Sequence, residues 1–393
     1  MFRVRNIIAV GMYPYPWHYR EIIDTVRLMT SAFNDVNKIF LNPAVGFRRA
    51  VAEKETLCIT WRACRDKDVL VCTPPLELIP SSWGLGKVKD TWSIRTLRTL
   101  IEHLLGPRWR EESVLYVSSG GIPQSYNIIR GLSPKYVIFD ILDDNLNFPG
   151  ITHPAGVENK FVYILQSATV ITAVSQFLLD RLQNDYGTTA HYLPNGVDLE
   201  RFAYRPAYAV PIPELSQLER PLFGFVGTLT SWIDFELLVA TAQRLERGTL
   251  VLVGPVIHSA VPAQILRVLH NHPRVAFLGP RPYEQVPHFL HQFDVLLLPR
   301  NYESHSLASD PLKLYEYMAT GRPIVTTAIP SVTRFRDLIY VCETWEDFFS
   351  SLRRALDEWS EERASKVTNA VREMSWQKRA ERMMRLFYQT IAG

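Results

Sequence analysis

Between residues 221 and 327 the chain repeats one pattern: the short apolar runs PLFGFVG, LVLVG, VAFLG, VLLLP and PIVTT, each followed by a segment of helical period. Strands that alternate with helices predict an α/β domain built on a mainly parallel sheet. The first half alternates in the same way. Strands are expected there at Asn6 to Val10, Asn37 to Leu41, Leu57 to Trp61, Val69 to Cys72, Val114 to Val117, Tyr136 to Phe139 and Val170 to Ala173. RFAYRPAYAVPIPELSQLER, residues 201–220, is rich in proline and has no steady period, so it reads as a linker. The expected division is a first domain over 1–200, the linker 201–220, and a second nucleotide-fold domain over 221–375. The tail from Glu343 to Ala392 reads as helical and amphipathic, and its last piece, 376–393, is expected to pack back on the first domain.

A length of 393 residues, 47% of them hydrophobic and 21% charged, suits two soluble domains with separate cores. The net charge of +3 excludes a global field that would select nucleic acid. Locally, Lys87, Lys89, Arg95, Arg98, Arg108 and Arg110 face only Asp90 and Glu102, with Trp83, Trp92 and Trp109 interleaved. The stretch Trp83 to Arg110 reads either as a contact for anionic lipid headgroups or as a solvated helix face with a few core tryptophans. Cys58, Cys64, Cys72 and Cys342 lack zinc spacing and read as reduced thiols in a cytosolic compartment. The apolar run in MFRVRNIIAVGMYPYPW is too short for a secretory or spanning segment and reads as a first strand. Membrane contact, if made, is expected to be peripheral, on the inner face of the plasma membrane.

In doubly wound sheets ligands sit beyond the carboxyl ends of strands, where loop amides and helix N-termini hold phosphate. Three loops of the second half stand at such places. In FVGTLTSWIDFELL, Gly227 permits close backbone approach, and the amides of Thr228, Leu229 and Thr230 are placed to cradle a diphosphate, although a plain tight turn explains the glycine equally well. In VAFLGPRPYEQVPHFLHQFDVLLLP, Gly279 to Tyr283, with Arg281, end a strand near where a base would lie flat. In LLLPRNYESHSLASDPLKLYEY a polar loop with Tyr302 leads into a helix. Asp310 is its expected N-cap, Pro311 its first residue, then Leu312 and Lys313, and Gly321 its stop. A lysine in a positively polarised first turn is unfavourable unless an anion lies nearby. Lys313 therefore reads as a phosphate ligand, and Glu316, one turn on, as an acceptor for ribose hydroxyls.

PLKLYEYMATGRPIV resembles the nucleotide-sugar helix of GT-B glycosyltransferases, and LPNGVDLERF, Leu193 to Phe202, resembles their interdomain segment. VAFLGPRPYEQVPHFLHQFDVLLLP is similar to their C-terminal domain, and the likeness is strongest to bacterial polysaccharide-type transferases, among them xanthan glucuronosyltransferases and teichuronic-acid transferases. The resemblance implies two Rossmann-like domains facing a cleft, a nucleoside-diphosphate sugar held by the C-terminal one and an acceptor by the N-terminal one. Many retaining members carry a glutamate eight residues before the ribose-binding one; here that position is Ala308, with Glu303 further upstream.

A base is then sought in the first half. YVIFDILDDNLNFPG ends a strand with Asp140 and continues to Asp143 and Asp144, and it resembles an acidic motif that supplies the base in inverting members. Asp143 is the first candidate and Asp144 the second; helix capping and turn formation are the alternative. His18, in GMYPYPWHYRE, reads as a further base or as a structural or acceptor-contacting side chain. SSGGIPQ, Ser118 to Gln124, is another glycine turn at a strand end, placed to line the acceptor side. The metal motif of the GT-A design occurs only as Asp66-Lys67-Asp68 in a charged turn, so no metal and no cofactor are expected beyond the donor itself. GMYPYP lacks the glycine fingerprint of a nicotinamide dehydrogenase. The expected function is transfer of a sugar, most simply from a UDP-sugar, to a glycan or lipid-linked acceptor in cell-surface polysaccharide synthesis. A same-fold nucleotide-sugar epimerase and a non-catalytic nucleotide-sugar-binding regulator are the alternatives.

Overall fold

The computed structural model describes residues 4–11, 36–42, 62–66, 69–73, 86–147 and 156–393. His18, Trp83 and the strand expected at Leu57 to Trp61 lie outside them. Two compact units divide the chain: Met1–Val174, Leu178–Pro194 and Trp376–Gly393 form the first, Ser175–Phe177 and Asn195–Ser375 the second.

The first unit is built on β1 (Asn6–Val10), β2 (Asn37–Leu41), β3 (Arg62–Asp66), β4 (Val69–Thr73), β5 (Ser113–Ser118), β6 (Tyr136–Ile141), β7 (Val170–Ala173) and β8 (His191–Tyr192). They lie in the order β3-β4-β2-β1-β5-β6-β7-β8. Every described pairing is parallel except β3 with β4. β3 was not foreseen, because RACRD carries no apolar alternation; as an antiparallel edge strand with Ala63 to Arg65 exposed, it needs none. The helix Trp376–Ala392 belongs to this unit, and it packs Ala380, Met383, Met384 and Phe387 against Ile7, Val114, Tyr116, Ile138 and Val170. Those four positions follow the i, i+3, i+4, i+7 spacing of one helical stripe.

Beneath that stripe lies an ion pair. Arg379 Nη1 is 2.9 Å from Asp140 Oδ2, and both side chains are almost wholly buried. The carboxylate also accepts from the Tyr116 hydroxyl at 2.8 Å and the Thr172 hydroxyl at 2.6 Å, while Arg379 Nε donates to the Pro194 carbonyl at 2.9 Å. Buried charges persist only when paired and hydrogen-bonded, and here both partners are. Asp140 is thus a structural anchor for the C-terminal helix, set one residue inside β6.

The second unit carries β9 (Leu222–Val226), β10 (Thr249–Val253), β11 (Val275–Gly279), β12 (Val295–Leu298), β13 (Ile324–Thr327) and β14 (Tyr340–Cys342). Their order is β11-β10-β9-β12-β13-β14, all parallel. Numbered from its own first strand, the sheet runs 3-2-1-4-5-6, the doubly wound order, with its switch point between β9 and β12. Alternate β9 side chains enter two cores, Leu222 and Val226 on one face, Phe223 and Phe225 on the other. β14, only Tyr-Val-Cys, was too short to be read as a strand.

The segment read as a linker, 201–220, is part of this unit, which begins at Asn195 rather than Pro221. Phe202, Ile212 and Leu215 are buried in its core. The backbone between them is tied down by His291, whose Nε2 lies 3.0 Å from the Phe202 carbonyl, and by Gln292 Nε2, which donates to Tyr208 and Val210 carbonyls at 2.9 Å. Burial lowers the pKa of His291, which favours a neutral ring that donates to Phe202. Single apolar anchors separated by prolines leave no periodic signal, which is why this packing was not legible.

Candidate donor site

The loop after β12 crosses to the helix Leu312–Thr320, which starts beside the switch point. Gly321 stops it in the left-handed conformation at φ 70, with its N–H on the Met318 carbonyl, as expected of a glycine C-cap. Its start differs from expectation. Pro311, not Asp310, is the N-cap residue, and no side chain caps the helix. The Asp310 carboxylate instead accepts from the Asn195 N–H at 2.7 Å and the Tyr315 hydroxyl at 2.7 Å, with Arg334 3.8 Å away. The Asn195 amide donates to the Asp310 carbonyl at 2.7 Å. Buried partners outcompete the local cap, and they fix the foot of this helix to Asn195.

Lys313 lies directly across Gly227. A Cβ built on Gly227 would stand 1.7 Å from Lys313 Cε and 2.5 Å from Nζ, so only glycine admits the lysine there. Gly227 also holds φ at 146, a region that side-chain-bearing residues rarely adopt. Nζ lies 6.0 Å from the centre of the Phe225 ring. The first and fourth strands of the sheet thereby bring a cation to the carboxyl end of β9, where a doubly wound sheet receives its ligand.

One of the three loop amides expected to cradle a diphosphate is otherwise engaged: the Leu229 N–H donates to the Pro255 carbonyl at 2.9 Å, as the Gly227 N–H before it does to the Val253 carbonyl at 2.8 Å. The loop continues the sheet beside β10, with Leu229 bridged to Val256 and its side chain fully buried. Leu229 is a core residue, while Thr228 stands between the two engaged amides, half-buried. The helix expected near Trp232 starts at Phe235, capped by Asp234, whose Oδ1 accepts from the Leu237 N–H at 2.8 Å.

Glu316 is only 4% exposed, and its Oε1 accepts from the Tyr283 hydroxyl at 3.2 Å. Leu312 opens the helix, half-buried. Arg281 instead forms an ion pair with Glu214 at 3.1 Å and lies over the Phe289 ring, which ties it to the 201–220 segment. Tyr302 is 47% exposed, with its hydroxyl accepting from the Ala328 N–H at 3.3 Å, and burial of that hydroxyl raises its pKa. It therefore attaches to the loop after β13 rather than to Lys313. Ala308 is buried, and the exposed Glu303 carboxylate lies 3.6 Å from His305 Nδ1.

In the first unit the loop after β6 holds Asp143 and Asp144. The Ser119 hydroxyl, at the end of β5, accepts from the Leu142 N–H at 3.2 Å and faces the Asp143 carbonyl at 3.5 Å, so the SSGG turn positions this loop. Asp143 lines a shallow depression with Ser119, Phe161, Leu178 and Tyr186. Asp144 is buried, ion-paired with Arg181 and hydrogen-bonded by the Asn147 amide at 3.0 Å. Its charge is thus compensated by a guanidinium and an amide, the arrangement of a turn-forming aspartate. In the basic stretch, Trp109 is buried beneath Arg110, Arg110 Nε donates to the Leu132 carbonyl at 3.0 Å, and Trp92 is exposed. No helix among the described residues is long and apolar enough to cross a membrane.

Residues 220–358, most of the second unit, match the family model described as glycosyl transferases group 1. The second unit contains a group 1 glycosyltransferase domain. A Bacillus subtilis protein, the putative teichuronic acid biosynthesis glycosyltransferase TuaH, is 28% identical over 233 residues. That match covers 56% of this chain and 57% of TuaH, so the chain spans little more than half of this curated relative. Among solved structures, sucrose-phosphate synthase from Thermosynechococcus elongatus aligns over 99% of both chains, with a TM-score of 0.72 at 14% identity. The E. coli trehalose-6-phosphate structure bound with UDP-2-fluoro glucose aligns over 98% of this chain and 99% of its own, with a TM-score of 0.70 at 11% identity. Anabaena HepE in complex with UDP aligns over 99% and 100%, with a TM-score of 0.65 at 13% identity. Identities this low bear on fold alone, and the fold is GT-B. Within the group 1 domain, one helix carries Lys313 against Gly227 and Glu316 against Tyr283, whereas Arg281 is paired with Glu214 and Tyr302 is bonded to the Ala328 N–H.

Proposed function

We propose that this chain is a glycosyltransferase that takes a sugar from a UDP-sugar and joins it to a glycan or lipid-linked acceptor in cell-surface polysaccharide synthesis. The observation that carries this reading is Lys313 laid across Gly227 at the switch point of a group 1 glycosyltransferase domain. A cation fixed at a helix N-terminus stabilises a diphosphate as it departs, because charge accumulates on the leaving oxygens in the transition state. Glu316 accepts from ribose hydroxyls one turn further along the helix. UDP in HepE, UDP-2-fluoro glucose in the E. coli structure and the teichuronic-acid relative support the choice of donor and acceptor class.

In the reaction the acceptor hydroxyl oxygen bonds to the anomeric carbon as the bond from that carbon to the diphosphate oxygen breaks. UDP leaves with the electron pair, and the hydroxyl proton passes to Asp143 in an inverting displacement. Lys313 supplies the charge compensation that a metal supplies in other designs. With a UDP-sugar and acceptor supplied, UDP release should depend on the acceptor, which neither an epimerase nor a regulator requires. Asp143→Asn is expected to lower turnover by about 10²–10⁴-fold while leaving donor affinity within about twofold. Unchanged turnover would remove Asp143 from the mechanism.

A further inference from the structure

Glu316 sits in the middle of a buried helix, and a carboxylate in that position needs fixed partners if its lone pairs are to face a ligand in one orientation. Tyr283, from the loop after β11, donates to Glu316 Oε1 at 3.2 Å. The tyrosine ring is itself held on two sides. The Arg201 guanidinium lies over its face at 4.9 Å from the centroid, and Phe202 meets it edge-on at 5.9 Å. Arg201 is fixed in turn, with Nε 3.3 Å from Asp198 Oδ2 and its carbonyl accepting from the Tyr208 hydroxyl at 2.8 Å. A cation over the ring draws electron density from the phenol, and a more polarised O–H makes a stronger bond to a carboxylate.

We propose that Tyr283, polarised by Arg201, is a positioning residue that orients the Glu316 carboxylate for the donor's ribose hydroxyls. This inference rests on the donor-site reading above and adds to it a residue that touches neither the diphosphate nor the reacting carbon. Its signature is selectivity. A residue that acts by aiming Glu316 matters only to nucleotides that carry ribose hydroxyls, whereas a residue that merely supports the loop matters equally to nucleotides without them.

The test is calorimetric titration with two probes, UDP and 2′,3′-dideoxyuridine diphosphate. Tyr283→Phe keeps the ring and its contacts with Arg201 and Phe202, so the fold is retained. It is expected to raise the Kd for UDP about tenfold and to leave the Kd for the dideoxy analogue within about twofold. Arg201→Met, which leaves the Tyr283 hydroxyl in place, should give a smaller loss, about threefold, again for UDP alone. Equal losses for both probes, or no loss for UDP in Tyr283→Phe, would overturn the inference. Failure of the unmodified chain to bind UDP would overturn the donor reading itself and take this inference with it.

Discussion

Gly227→Ala is expected to weaken UDP binding by about 10–100-fold, the equivalent of losing one charge-assisted contact to phosphate. The new methyl would lie 1.7 Å from Lys313 Cε, far inside van der Waals contact, so the lysine must leave its place over β9. The unusual φ of 146 adds backbone strain of about 1–3 kcal/mol. These two costs separate experimentally. In the double variant Gly227→Ala/Lys313→Ala the clash disappears but the cation is gone as well. Thermal unfolding should therefore recover only the part of the stability lost to the clash and retain the part due to backbone strain, while UDP affinity stays low. Undiminished UDP affinity in Gly227→Ala would mean that Lys313 does not need its place across the glycine to hold the nucleotide.

Asp140→Ala is the substitution expected to affect stability most. It leaves the Arg379 guanidinium, 3% exposed, without its carboxylate beneath the C-terminal helix. Removing one member of a buried ion pair costs about 3–5 kcal/mol. In a unit of this size that corresponds to a loss of roughly 10 °C in the melting transition of the first unit. Asp140→Asn/Arg379→Met, which discharges both partners, should lose much less, because the larger part of the single-variant cost is an uncompensated charge. Calorimetric unfolding of the three proteins measures this directly, and equal Tm losses in the single and double variants would contradict it. The position also illustrates why acidic residues near strand ends resist assignment from sequence. Asp140, Asp143 and Asp144 read as one acidic cluster, yet Arg379 and Arg181, remote in sequence, take the first and third.

Strands β9 to β13 were legible because each is an apolar run bounded by turn residues. β3 and β14 were not, one for being a polar edge and the other for its three residues. Lys313 and Glu316 stood out in the sequence because a cation in a helix's first turn is locally unfavourable, and such a conflict between local preference and sequence suggests a nearby anion. The role of Gly227 was only half visible. Close approach was foreseen, but the group that approaches is a side chain 86 positions further along the chain. Asp310 misled for the opposite reason: Asp before Pro is the usual grammar of a helix start, and Asn195 and Tyr315, which claim its carboxylate, cannot be inferred from spacing. Tyr283 was noticed only as the end of a strand loop, since nothing local to it announces Glu316.

The most direct test of the account is calorimetric titration of UDP into Lys313→Glu. Placing a carboxylate where the diphosphate should lie both removes an attraction and adds a repulsion, so the Kd should rise by at least about 100-fold relative to the unmodified chain. A Kd within about twofold of the unmodified protein would show that the nucleotide's phosphates lie elsewhere.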